Sequence, residues 1–63
     1  MPYQFYQSLI WDALEERDIS DLGDALNAIV TRAYYDSELS GEDYEAIEAE
    51  CYTIARDNGI VLS

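Results

Sequence analysis

Asp36–Glu50 reads DSELSGEDYEAIEAE, and two structures compete for it. Asp36, Glu38, Ser40 and Gly41 stand at relative positions 1, 3, 5 and 6 of a calcium loop. Such a loop needs a bidentate carboxylate at position 12, which here is Ile47. A helix start accounts for more of the residues. Ser40 is an N-cap, Asp43 takes the partner position of a capping box, and Leu39 before the cap can meet Tyr44 after it. Tyr44, Ile47, Cys51, Ile54 and Ala55 then share one helical face. The helix stops at Asp57-Asn58-Gly59-Ile60, with Gly59 in the left-handed conformation and Ile60 folding back. A helix over about residues 41–58 is expected, with no metal site and no cofactor, and a short apolar tail, Val61-Leu62-Ser63, packing on it.

Two more helices precede it. In ISDLGDALNAIVTRAYY, Ser20 is the expected N-cap, with Asp21 and Asp24 near the positive helix end. Leu22, Leu26, Ile29, Val30 and Ala33 form an apolar face with Ala25 beside it; Tyr34 falls at its edge and Tyr35 opposite. Gly23 in the first turn weakens the helix by about 1 kcal/mol relative to Ala. In YQFYQSLIWDALEER, Pro2 suits the first helical position, where its missing N–H is no loss. Tyr3, Tyr6, Leu9, Ile10, Ala13 and Leu14 share a face, which Phe5 and Trp11 do not join. Three amphipathic helices at about 2–17, 21–36 and 41–58 predict an all-α single domain, either a small three-helix bundle or an open three-helix array.

Composition narrows the function classes. The chain has 63 residues and 49% hydrophobic content, enough for a small core but a marginal one, which tight packing or a homodimer would reinforce. No apolar run is long enough for a membrane span, and no basic-then-apolar leader opens the chain, so a cytoplasmic protein is expected. Fourteen Asp and Glu face three arginines, with no Lys and no His, for a net charge of −11. Direct nucleic-acid binding needs a basic surface, and anionic membranes repel this chain equally; the fitting partner is a basic protein surface. Catalysis lacks His, Lys and a phosphate-cradling loop, and the lone Cys51 sits at a core position; no enzyme is expected.

The acid has a pattern. Glu42 and Glu45 open one side of the third helix, and Tyr52 continues that line. The first helix adds Asp12, Glu15, Glu16 and Asp18. Carboxylates one helical turn apart are about 5–6 Å from each other, and duplex DNA carries one charge per roughly 1.7 Å of axis. Rows on neighbouring helices raise the density of the acid. Trp11, Tyr35 and Tyr52 add aromatic anchors of the kind that dominate interfaces. In size, charge and helicity the chain resembles the small acidic inhibitors that phages and mobile elements direct against restriction, CRISPR or repair enzymes. Those inhibitors share no motif, so the resemblance carries no residue across. It implies a DNA-mimicking inhibitor of a nucleic-acid-binding protein; the pattern of acid and off-stripe aromatics, not the resemblance, makes Trp11, Asp12, Glu15, Tyr35, Glu42, Glu45 and Tyr52 the expected contact residues. The competing expectation is a helical adaptor or regulator that homodimerises or docks through an apolar face.

Overall fold

A computed structural model describes residues 2–16 and 18–62. It contains three helices: α1 (Pro2–Glu16), α2 (Ile19–Tyr34) and α3 (Gly41–Asp57). The expected end of the first helix, Arg17, lies outside the described residues, as does Ser63 of the tail. Every pair of helices is in contact, with α2 central to the packing, so the fold is a closed bundle and not an open array. The Tyr6 hydroxyl reaches Asp36 beyond α2, and Ile60 beyond α3 lies against Gly23 near the start of α2. Successive helices therefore run in opposite directions.

The core follows the apolar stripes. Tyr6, Ile10 and Ala13 from α1, Leu22, Leu26, Ile29 and Ala33 from α2, and Ile47, Cys51 and Ala55 from α3 are buried together. Tyr3, Leu9, Ala25, Val30, Tyr44 and Ile54 close its edges. Leu14 departs from expectation: it is on the apolar side of α1 but exposed, because it lines the groove between α1 and α3 without entering the core. Cys51 is wholly buried, and desolvation raises its thiol pKa to about 11, with the charge of Glu50 adding to the effect. It serves as a small apolar core residue.

The N-cap of α3 is the expected one, and that of α2 is not. At α3, Ser40 Oγ accepts the Asp43 N–H at 3.1 Å, as a capping residue should. Ser40→Ala is expected to cost about 1 kcal/mol in a urea melt; an unchanged midpoint would show that this bond adds nothing in solution. The far end closes as a Schellman motif. The Ile60 N–H donates to the Ala55 carbonyl at 2.7 Å, the Gly59 N–H donates to the Arg56 carbonyl at 3.1 Å, and Gly59 has φ 70°.

At α2 the N-cap is Asp18, not Ser20, and the helix begins at Ile19. Asp18 Oδ1 accepts the Asp21 N–H at 3.3 Å and the Ser20 hydroxyl at 2.8 Å. A carboxylate complements the positive helix end better than a neutral hydroxyl, so Ser20 becomes the support of the cap. The Ser20 bond first, and the Asp21 N–H second, hold the Asp18 carboxyl below its usual range.

Gly23 also acquires a reason. A Cβ there would stand 3.0 Å from the Ile60 methyl Cγ2, so the glycine that weakens the helix makes room for the returning tail. Ile60 and Leu62 pack on the core, whereas Val61, expected to join them, is exposed.

Candidate protein-binding surface

The acid is all displayed. Among the described residues no charged side chain is buried; Asp36, Asp43, Glu48 and Glu50 are half-buried and the other carboxylates exposed. Asp21, Glu42 and Asp43 sit in first turns of helices, where the macrodipole favours them. Glu15 and Glu16 end α1, and Asp57 ends α3, where the dipole opposes negative charge at roughly 0.3–1 kcal/mol per site. Because α1 ends, α2 begins and α3 ends on the same side of the bundle, Glu15, Glu16, Asp18, Asp21 and Asp57 gather toward that end, with Arg56 among them. Such crowding repels itself.

The expected contact residues are all exposed: Trp11, Asp12, Glu15, Tyr35, Glu42, Glu45 and Tyr52. They do not form one patch, because the three grooves of the bundle divide them. Trp11, 61% exposed, lines the groove between α1 and α3 with Leu14, Ala49, Glu50, Thr53 and Ile54. Asp12 lines the groove between α1 and α2, where the Arg32 guanidinium lies 5.0 Å from the centre of the Phe5 ring. Tyr35 and Tyr52 both line the groove between α2 and α3. Glu42 and Glu45 are exposed near the start of α3.

The third groove holds residues that sequence reasoning had not assigned to the surface site. Tyr34 and Tyr44 join Tyr35 and Tyr52 there, with Glu48. The Tyr34 and Tyr35 rings are edge-to-face with centroids 5.1 Å apart, and Tyr34 and Tyr44 pack likewise at 5.8 Å. The Tyr44 hydroxyl donates to Glu48 Oε2 at 3.1 Å. Burial, then that bond and the carboxylate's charge, hold the Tyr44 phenol above its usual range. The Tyr44–Glu48 pair was legible, being four residues apart on a helix. The approach of Tyr34 to Tyr44 was not, because it is a tertiary contact.

Asp36 has a different use from the calcium ligand its position suggested. Its Oδ1 accepts the Glu38 N–H at 2.9 Å and its Oδ2 accepts the Tyr6 hydroxyl at 2.7 Å. The carboxylate thus turns the chain after α2 and ties it to α1. Among the described residues no group of three His, Cys, Asp or Glu side chains is arranged to hold a metal, and no helix is long and apolar enough to cross a membrane. No protein-family model, curated protein or solved structure matches this chain.

Proposed function

We propose that this protein is a non-enzymatic binding protein that presents carboxylates and aromatic side chains to the basic site of a nucleic-acid-binding protein, in competition with nucleic acid. It would then belong with the acidic inhibitors of restriction, CRISPR or repair enzymes and act in the cytoplasm. The observation that carries the reading is the placement of the acid. The chain carries a net charge of −11, none of its carboxylates is buried, and Glu15, Glu16 and Asp57 occupy helix ends where they weaken the fold. Charge that costs stability calls for a return elsewhere, and attraction to a basic surface supplies one.

The test is capture from a host lysate on the immobilised protein. Retained proteins are expected to be basic nucleic-acid binders that elute with moderate salt and are displaced by duplex DNA, since screening and competition both act on the same charges. Retention that ignores salt and DNA would replace this reading with apolar docking by an adaptor.

Trp11 supplies a second measure. Trp11→Ala is expected to weaken capture by about 2 kcal/mol, roughly 30-fold, as truncating an aromatic anchor does. Helical circular dichroism should persist and fold stability should change by less than about 1 kcal/mol, because the ring is mostly outside the core. A loss of several kcal/mol of stability would make Trp11 a core residue instead.

A further inference from the structure

We propose that the tyrosine groove between α2 and α3 is a binding site for an arginine side chain of the basic partner. This rests on the reading of a basic partner above and assigns the side chain that meets this groove. Tyr34 is 66% and Tyr35 79% exposed, more than folding alone would leave of two adjoining aromatic rings. They are not loose: each is packed edge-to-face, and the rings of Tyr34 and Tyr35 stand at 84°, forming adjoining walls in place of one flat surface. Glu48 supplies a carboxylate beside them, half-buried and held by the Tyr44 hydroxyl. A flat cation that stacks on a ring face and donates to a carboxylate matches all of these features.

Guanidinium is that cation. It is planar, more weakly hydrated than ammonium, and stacks on aromatic faces while its N–H groups remain in plane to reach a carboxylate. Lysine carries the same charge on a compact, strongly hydrated group and matches only the electrostatic part. The molecule already contains one such pairing, Arg32 over Phe5, on the α1 side of α2. The chain's own Arg56 lies one turn beyond Tyr52 on α3 and lines the neighbouring depression with Ile60 and Leu62, not the tyrosine groove.

The probe is a fluorescein-labelled alternating glycine–arginine peptide, compared by anisotropy with its glycine–lysine counterpart of equal length. The arginine peptide is expected to bind about fivefold more tightly. Tyr35→Leu and Glu48→Gln should each remove most of that preference, Tyr35→Phe should keep it because the ring face remains, and Trp11→Ala should leave it unchanged. Tyr34 and Tyr35 are outside the core, so their variants fold.

Equal affinity for the two peptides, or a preference that survives Tyr35→Leu, overturns the assignment. Arginine-selective binding abolished by Trp11→Ala moves the site to the other groove and overturns it as well. Concentration-dependent dimerisation that Tyr35→Leu dissolves would give the groove to an arginine of a second copy, and the proposal of a foreign partner fails. Lysate capture separates the two levels. If basic proteins are retained equally by wild type and Tyr35→Leu, this site fails and the broader function stands; if none is retained, the broader function fails.

Discussion

Tyr6→Ala is expected to remove about 4 kcal/mol of folding stability, and Tyr6→Phe about 1–2 kcal/mol, when both are measured by urea denaturation. Tyr6 is 1% exposed, so alanine leaves a cavity in the buried core. Phenylalanine keeps the ring and loses only the hydroxyl, which donates to Asp36 at 2.7 Å. That bond spans thirty residues of sequence and joins α1 to the loop that launches α3.

It also makes stability depend on pH in a definite direction. The Tyr6 bond first, and the Glu38 N–H second, hold the Asp36 carboxyl below the usual carboxylate range. A depressed carboxylate contributes stability that is fully present above its unfolded value, near pH 4, and is lost as pH falls through its lower folded value. Burial first, and Asp36 second, push the Tyr6 phenol up. A raised phenol contributes stability present below its unfolded value, near pH 10, and lost as pH rises through its higher folded value. Tyr6→Phe should therefore shrink both the alkaline and the acid limb of the stability profile, and part of the alkaline limb should survive because the Cys51 thiol and the Tyr44 phenol are raised independently by burial. Part of the acid limb should survive, because Asp18 is depressed independently at its cap. A Tyr6→Phe profile that superimposes on wild type would show that the bond is not formed in solution.

Leu26→Ala is expected to cost about 3 kcal/mol. Leu26 is 0% exposed and lies on the central helix. A fold of this size holds on the order of 3–9 kcal/mol in all, so this one truncation consumes a third or more of it. Loss of helical circular dichroism well below the wild-type melting temperature is the expected reading. Val61→Ala, at a residue that is 92% exposed, should by contrast move stability by less than about 0.5 kcal/mol. Equal effects at the two positions would mean that the core is assembled differently.

What could be read from the chain divides by range. The cap at Ser40, the stop at Gly59 and the apolar stripes depend on neighbours within a few residues, and the sequence carries those signals directly. Asp18 and Ser20 both satisfy the rule for a helix start. Deciding between them required knowing that the Ser20 hydroxyl donates to the Asp18 carboxylate, a matter of rotamers. Trp11 and Tyr35 were identified as lying off the core because helical phase alone determines that. Their separation into different grooves was not legible, because phase on each helix says nothing about which neighbour it faces. Gly23 looks like a defect until Ile60 is placed beside it, and Asp36 has no assigned use until Tyr6 is. Both are contacts between residues at least thirty positions apart.

Cys51 gives the molecule a built-in gauge of its own breathing. Thiol reagents attack the thiolate, and the closed bundle offers neither access nor thiolate: the side chain is 0% exposed, with a pKa of about 11. Modification must wait for α3 to lift. In excess reagent with fast reclosing, the labelling rate is the opening equilibrium multiplied by the reactivity of a free thiol. Ile47 and Ala55 flank Cys51 on the same buried face, so an excursion that frees the sulfur also strips α3 from its neighbours. As the chain's single cysteine, it reports the undocking free energy of one helix without an engineered label. Comparing that value with the urea-derived stability tells whether α3 leaves alone or only when the whole bundle comes apart.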